Sequence, residues 1–291
     1  METSRQVEPL MQAQFSVRIR EELPDLHFFF LSDVWLDQPK TLVGLTKMFD
    51  NCVENDFIPK LFVFCGNFTS RSIANGSGRD IQRYNGEFHR LPKDYLRSCF
   101  ATESFDALAD LIAAYPMISQ SSHFIFVPGP WDLTLNSTLP RKPLLSSLVS
   151  RLKAKVPKSH FATNPCRIKF FDQEIVVFRE DSMSRMLRNI TAGVKLDATG
   201  DDLKRYVRYF RFPNAQSLTK LNVFQLVQSI LDQAHLSPFA NHIQPTLSDH
   251  DHALRLYPLP TAVNQPVYDY ERRKHSQSLR LYWLTSTTGS R

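Results

Sequence analysis

The sequence holds few of the residues from which flexible loops and thiolate sites are built. Among its 291 residues are 9 Gly and 4 Cys, and so little glycine leaves few positions for Gly-rich phosphate-binding loops. The cysteines form no C-x-x-C pair, so we interpret them as buried, reduced thiols of an intracellular protein rather than as disulfides or a zinc site. No Walker-type, G-x-S-x-G or H-E-x-x-H motif occurs, which argues against the enzyme classes that carry them. We expect the protein to use no cofactor.

Long hydrophobic runs and a strong charge of one sign are also missing. No apolar stretch approaches the roughly 20 residues that cross a bilayer, so we expect no membrane partner. The 35 basic residues exceed the 29 acidic ones by 6, a small excess for a chain of this length. One of several basic clusters comprises Lys204, Arg205 and Arg208. Charge alone favours a solvated surface there, and contact with DNA phosphates or an acidic protein is the alternative.

Phenylalanine is abundant, with 22 Phe against 3 Trp and 9 Tyr. Short apolar runs at 26–31, 61–65 and 124–127 predict buried strands. Apolar residues at helical spacing predict helices over 42–53 and 105–115. This order predicts an α/β fold, in which functional residues gather after the carboxyl ends of the strands.

The second half of the chain has a different pattern. Apolar spacing predicts one helix over 144–152 and another over 221–235. Apolar runs at 167–171 and 174–178, separated by two residues, predict a β-hairpin. A further strand is predicted at 253–257.

Composition also indicates how the chain is organised. We interpret residues 1–23 as a lead-in or the remnant of an upstream region, 24–260 as one domain and 261–291 as a divergent tail. Segments at about 70–100 and about 192–208 are polar and lack a clear period, which predicts surface insertions.

The ends of the predicted strands follow the order of a metallophosphoesterase site. That family places D-x-H after its first strand, G-D after the second, G-N-H-[DE] after the third and a lone His later. The corresponding residues here are Asp33, Trp35, Asn67, Pro130, Asp132 and His235. Neither indole nor proline can ligate a metal, and the Asn67 amide brings no charge to the place of a bridging carboxylate.

We therefore interpret these six residues as vestigial metal-site positions and predict no catalytic and no metal-binding residue. Trp35 and Pro130 would fill the space of the metals, while Asp33 and His235 would hydrogen-bond locally. His250 and His252 are interpreted as ordinary surface histidines. The alternative function is a metal-dependent phosphoesterase that works with a degenerate site.

Eight ordered segments carry a more specific resemblance. They include Phe64-Cys-Gly-Asn-Phe68, Val127-Pro-Gly-Pro-Trp-Asp132 and Thr163-Asn-Pro-Cys-Arg-Ile168. The full set covers residues 29–37, 64–68, 124–132, 139–144, 163–168, 177–181, 233–238 and 253–258. In these segments the chain resembles the B subunits of DNA polymerase epsilon, within the wider family of B subunits of polymerases alpha, delta and epsilon.

The resemblance implies an α/β domain of the calcineurin-like metallophosphoesterase fold, with a β-sandwich core flanked by helices and a degenerate catalytic site. It implies a non-catalytic accessory subunit in the nucleus. This subunit would act as a scaffold for the zinc-containing C-terminal region of the catalytic subunit of DNA polymerase epsilon. Other polymerase epsilon subunits and components of the replicative helicase are the further expected partners, and direct DNA contact is possible.

The chain departs from that family at both ends. The helical region and OB-fold that precede this domain in the family are missing, and residues 261–291 do not match the family's ending. We expect from this an altered gene model or a divergent tail, and a domain with an exposed sheet edge that gains stability from a partner.

Overall fold

A computed structural model describes the chain over eight stretches. They are residues 27–70, 93–134, 138–170, 173–189, 226, 229–260, 262–264 and 280–282. The basic cluster of Lys204, Arg205 and Arg208 and the predicted insertion at 192–208 lie outside the described residues. Of the predicted helix at 221–235, residues 226 and 229–235 are described, and the helix there ends at Asp232.

A five-stranded sheet forms around the three Phe-rich runs. Strands β1 (Phe28–Ser32), β2 (Leu61–Cys65), β3 (His123–Val127) and β4 (Ser159–Phe161) are parallel neighbours. Strand β8 (Arg280–Tyr282) pairs antiparallel with β1, so the order across the sheet is β4-β3-β2-β1-β8. The three strands predicted from the apolar runs are confirmed.

Four helices follow strands of this sheet or precede them. They are α1 (Pro39–Glu54), α2 (Lys93–Ala113), α3 (Pro116–Ser121) and α4 (Ser146–Lys155). Proline opens α1 and α3, where its missing N–H would have had no partner in the helix anyway. None of the helices in the described residues combines the length and apolarity that a membrane crossing requires.

Strand pleating places the Phe side chains of β2 and β3 on one face of the first sheet. Phe62 and Phe64 of β2 face the helices and stack against Phe124 and Phe126 of β3, with ring centroids 5.3 Å and 5.2 Å apart. The smaller Leu61, Val63 and Cys65 of β2 face the other way. Alternate residues of a strand point to opposite faces, so the Phe side chains of β2 and β3 fill the space between the sheet and the helices.

A second, smaller sheet lies against the other face of the first. Strands β5 (Cys166–Phe170) and β6 (Gln173–Val177) form the predicted antiparallel hairpin, and β7 (Ala262–Asn264) pairs parallel with β6. Its side chains share a buried cluster with the first sheet, comprising Phe30, Leu61, Val63, Cys65, Val127, Cys166, Ile175 and Val177. The two sheets therefore pack face to face.

The outer face of the second sheet is covered by later parts of the chain. Helix α5 (Ser182–Arg188) follows β6, and a 3₁₀ helix spans Ser248–Leu254. A third buried cluster joins Val176 and Phe178 to Leu139, Leu226, Ile230, Leu236, Leu254 and Leu256. The described residues thus form four layers. Helices α1 to α4 pack on the first sheet, the second sheet packs on its other face, and helical segments cover the outside of the second sheet.

Two expectations about elements differ from the structure. The strand predicted at 253–257 is wrong, because residues up to Leu254 continue the 3₁₀ helix and only Arg255 makes a bridge, to His235. Leu254 and Leu256 are buried around an exposed Arg255, which imitates the alternation of a strand. Residues 93–100, expected as part of an aperiodic insertion, are the first turns of α2.

Candidate functional site

The three polar strand ends meet at one edge of the first sheet. Asp33, Asn67 and Asp132 follow β1, β2 and β3, and these strands are parallel neighbours. Their carboxyl ends therefore lie side by side, as the sequence order predicted. Arg179 pairs with Asp33, and we call Asp33, Asn67, Asp132 and Arg179 the strand-end cluster.

Arg179 is the centre of the strand-end cluster. Its guanidinium is 1% exposed, its Nη2 donates to Asp33 Oδ1 at 2.6 Å, and its Nε donates to the Gly66 carbonyl at 2.6 Å. Asn67 Nδ2 also donates to Asp33 Oδ1, at 3.3 Å. Burial lowers the pKa of Arg179, but the carboxylates of Asp33, Glu180 and Asp181 together raise that pKa above its ordinary value.

Asp132 is enclosed beside this ion pair. Its Oδ2 accepts the Gly129 N–H at 2.7 Å and its Oδ1 accepts the Phe68 N–H at 2.8 Å. Burial raises its pKa to about 6, in spite of these two hydrogen bonds and the Arg179 charge, which favour the ionised form. Asp132 therefore fixes two loop backbones to each other and has no oxygen without a donor.

Two glycines allow the loops to approach one another this closely. A Cβ on Gly66 would lie 2.0 Å from Asp132 Oδ2, and one on Gly129 would lie 2.5 Å from Asn67 Oδ1. Both positions are occupied by backbone and buried side chains, so any larger residue there must displace part of the cluster. The same Asn67 Oδ1 accepts the Trp131 N–H at 2.9 Å.

A buried asparagine, Asn164, binds the backbone of Arg179. Asn164 Nδ2 donates to the carbonyl oxygens of Pro128 and Arg179, and its Oδ1 accepts the Arg179 N–H at 3.1 Å. Next along the chain, Glu180 is 1% exposed and pairs with the buried Arg141. The carboxyl end of β6 in the second sheet is thereby fastened to the strand ends of the first.

The remaining positions that the sequence analysis predicted to be vestigial divide into two groups. Trp35 and Pro130 are half-buried beside the cluster, and the Trp35 Nε1 has no hydrogen-bond partner among the described residues. His235 stands apart. It lies 3.1 Å from Asp251 and accepts the Ser237 N–H at 3.1 Å, and no hydrogen bond or ion pair of the described residues joins it to Asp33, Asn67 or Asp132. His250 and His252 are exposed.

The side-chain oxygens of this cluster that could ligate a metal do not fit a two-metal site. Asp33 is neutralised by a guanidinium and the two Asp132 oxygens are used by backbone N–H groups. Metal clusters of that kind need several charged ligands that converge on the ions. In the described stretches, no group of three or more His, Cys, Asp and Glu side chains is placed to hold a metal. The arrangement is an ion-pair network rather than a set of free ligands, and within it Arg179 Nη1 is buried without a hydrogen-bond partner among the described residues.

Two of the described cysteines are buried in the core, and a described arginine of a basic cluster forms ion pairs with neighbouring carboxylates. Cys65 and Cys166 are buried between the two sheets, and burial raises their pKa values to about 12 and about 11, which keeps both as unreactive thiols. Arg151 of α4 pairs with Asp106 and Asp110 of α2. The predicted phosphate contacts at Lys204, Arg205 and Arg208 remain a prediction.

Reasoning from the sequence missed Arg179. The strand-end rule was applied to the first three strands only, although Arg179 follows the apolar end of β6 by two positions. A cation directly after a buried apolar run requires a buried anion, and Asp33 was the available candidate. That requirement is the signal that would have found it.

Comparison with known proteins gives a consistent family. A family model for the B subunit of DNA polymerases alpha and epsilon matches residues 28–268. Human DNA polymerase epsilon subunit 2 is 37% identical over 243 residues, which are 84% of this chain and 38% of that protein. The B subunit of DNA polymerase epsilon from Arabidopsis thaliana is 33% identical over 238 residues, 81% of this chain and 38% of the relative. Its counterpart in Schizosaccharomyces pombe is 32% identical over 242 residues, 81% of this chain and 36% of the relative.

Proposed function

Because the chain belongs to the B-subunit family of DNA polymerases alpha and epsilon, we propose that it acts as a non-catalytic accessory subunit of DNA polymerase epsilon. Its similarity to proteins named as that subunit in human, plant and fission yeast supports the assignment. The chain spans 38% of the length of the human relative, so the proposal concerns the part of the subunit that this chain represents.

The observation that carries the non-catalytic part is the ion pair between Arg179 and Asp33. A phosphoesterase would need the Asp33 carboxylate for a metal, and here a buried guanidinium bonds to it at 2.6 Å. The pair joins the end of β1 to the end of β6, so it stabilises the contact between the two sheets. Such a cluster supports a rigid surface for protein contacts rather than a reaction centre.

We further propose that the domain is an inactive version of the calcineurin-like phosphoesterase fold. The order of helical, sheet, sheet and helical layers supports this, as do strand-end residues in the family's order. Under this proposal Asp33, Trp35, Asn67, Pro130, Asp132 and His235 descend from ligand positions. A metal-dependent phosphoesterase is the competing function.

The proposed partner is the zinc-containing C-terminal region of the polymerase epsilon catalytic subunit. Other polymerase epsilon subunits and replicative helicase components follow from the same assignment, and the proposed location is the nucleus. Direct contact with DNA through Lys204, Arg205 and Arg208 would be a secondary activity, supported by the local excess of positive charge.

Co-expression tests the scaffold proposal. The tagged chain is expressed with the C-terminal region of the epsilon catalytic subunit, and the two are expected to elute together in equal amounts from a sizing column. The corresponding region of the alpha catalytic subunit serves as the control and is expected to elute alone. Loss of binding by a chain that circular dichroism shows to be folded would contradict the proposal.

Two assays separate the competing functions. Manganese-dependent hydrolysis of a phosphodiester, lost in both Asp33→Ala and His235→Ala, would favour the phosphoesterase. Binding of duplex DNA that weakens steeply with salt and is lost on charge reversal at Lys204, Arg205 and Arg208 would support the DNA contact.

A further inference from the structure

Two histidines come together at an edge of the first sheet, away from the strand-end cluster. His123 opens β3 and His160 is the middle residue of β4, the outermost strand on that side. His123 Nδ1 and His160 Nε2 lie 3.1 Å apart in a hydrogen bond whose donor depends on the tautomers, and a bound metal would replace that bond. Both side chains are exposed. Their rings are nearly parallel, with centroids 5.4 Å apart and planes 24° apart.

The backbone beneath this pair is fixed by sheet pairing. Phe124 N donates to the Lys158 carbonyl at 3.0 Å, and Ala162 N donates to the Phe126 carbonyl at 2.9 Å. The ladder contacts on either side of the histidines set the separation of the two Cα atoms, so only side-chain torsions must be fixed on binding a ligand. The low number of rotatable bonds in histidine keeps that ordering cost small.

The distance between the two nitrogens matches adjacent corners of a metal coordination shell. With metal–nitrogen bonds of about 2.05 Å, nitrogens 3.1 Å apart subtend about 100° at the metal. That value lies between the right angle of square-planar or octahedral coordination and the tetrahedral angle. Lys158 lies close enough to His123 to act on it through its charge.

We propose that His123 and His160 form a cross-strand binding site for a divalent transition-metal ion of the class that prefers imidazole, such as Zn²⁺ or Ni²⁺. The two ring nitrogens that now face each other would both ligate the ion, and the ring protons would lie on the outward nitrogens. Since no third His, Cys, Asp or Glu of the described residues joins them, water molecules would complete the shell.

This site differs in place and chemistry from the strand-end cluster. His123 begins β3 and Asp132 follows its other end, so about 13 Å of strand separates the two. A metal there would cross-link the short edge strand β4 to β3 and would not contact Asp33 or Arg179. The nearby Lys158, which donates to the Gln120 carbonyl, adds a positive charge that opposes metal binding.

Zinc titration of the chain tests the proposal, with ZnCl₂ as the probe and isothermal calorimetry as the readout. We expect one equivalent of Zn²⁺ to bind, with an affinity that falls by roughly tenfold or more in His123→Ala and in His160→Ala, because one imidazole remains in each. His252→Ala is the matched control. It removes another exposed histidine, whose ring centroid lies 6.2 Å from that of His250 and at a steep angle to it, and it should leave the titration unchanged.

A third variant changes the affinity in the opposite direction. Lys158→Gln removes the opposing charge and is expected to tighten Zn²⁺ binding, most clearly at low salt. Thermal melts of every variant without metal confirm folding, and added Zn²⁺ should raise the midpoint of the unmodified chain and of His252→Ala but not those of His123→Ala and His160→Ala. Binding that is equal in the unmodified chain and in His123→Ala, or a loss of binding in His252→Ala alone, would overturn the proposal.

Discussion

A guanidinium buried to 1% exposure is stable only when an anion and hydrogen-bond acceptors surround it. For Arg179, Asp33 supplies the charge and the Gly66 carbonyl supplies a further acceptor. The two partners differ in burial, because the Asp33 side chain is 19% exposed and that of Arg179 only 1%. Removing the carboxylate therefore leaves a fully buried cation, whereas removing the cation leaves a carboxylate that water can reach.

We expect Asp33→Asn to destabilise the protein by about 3–5 kcal/mol, the usual cost of leaving one partner of a buried pair without its counter-charge. Urea unfolding followed by circular dichroism measures the change. Asp110→Asn provides the control, because Asp110 pairs with Arg151 on an exposed surface and should have little effect. Equal stability of Asp33→Asn and the unmodified chain would contradict the assigned role of the pair.

Asp132 should give the stability a specific pH dependence. Its folded-state pKa is about 6, above the ordinary value near 3.9, so the folded protein holds this proton more tightly than the unfolded chain. Stability contributed by the protonated form is therefore present below pH 4 and is lost as the pH rises through about 6. The loss amounts to at most about 3 kcal/mol, since one pKa unit corresponds to about 1.4 kcal/mol.

Asp132→Asn tests this dependence. The amide cannot ionise, so the difference in unfolding free energy between the unmodified protein and the variant should shift in favour of the variant between about pH 4 and pH 6 and stay constant above about pH 7. Urea titrations at several pH values measure the difference. A difference that does not vary with pH would show that Asp132 titrates normally.

At the residue scale, the sequence identified the two carboxyl groups and the amide of the site and missed its cation. Asp33, Asn67 and Asp132 could be placed together because they end consecutive parallel strands. Arg179 could not, since it arrives from the second sheet and the packing of two sheets is a long-range contact without a local pattern. His235 was assigned by order alone, and the structure gives it Asp251 as a partner instead.

At the scale of elements, the loops after β2 and β3 determine how closely the strand ends approach. Gly66 and Gly129 lie where each loop crosses the other, and a Cβ on Gly66 would also lie 2.3 Å from the Gly129 nitrogen. That neighbour is backbone and cannot rotate away. The loops must separate to admit any side chain, which would disturb the hydrogen bonds of Asp132.

We expect Gly66→Ala to destabilise the protein by about 1–3 kcal/mol or more, through overpacking. Gly44→Ala is the matched control, and we expect it to stabilise the protein rather than destabilise it. Gly44 lies inside helix α1 and is half-buried, and alanine in a helix interior is favoured over glycine by about 1 kcal/mol. Thermal unfolding of both variants measures the contrast, and a Gly66→Ala protein as stable as Gly44→Ala would contradict the close approach of the loops.

Element prediction succeeded where burial and period agreed. The Phe-rich strands and the hairpin of β5 and β6 follow directly from apolar runs bounded by polar residues. Residues 253–257 have the same alternation, but Asp251 accepts hydrogen bonds from Arg255 and lies against His235. Those side-chain contacts hold a helical turn that the apolar pattern alone could not reveal.

At the scale of the whole molecule, one cation at the end of the second sheet joins the two sheets, and under the proposed descent from a phosphoesterase it takes the place of two metal ions. In a metal-dependent hydrolase, the ions draw carboxylates from several loops together and their removal loosens the fold. Here Arg179 supplies a fixed positive charge that the chain carries itself. The contact between the sheets should therefore be independent of divalent ions that prefer oxygen ligands.

Thermal melts with a chelator and with millimolar Mn²⁺ test that independence. An ion that bound the folded state alone would stabilise it by about 2.7 kcal/mol at a concentration of about 100 times its Kd. Mn²⁺ prefers carboxylate and water ligands, and the Asp33 carboxylate already serves Arg179, so we expect identical midpoints in both solutions. A rise with Mn²⁺ that disappears in Asp33→Asn would place a working metal site at the strand ends. That result would favour the phosphoesterase over the accessory role, because the ion pair would then have yielded to the metal.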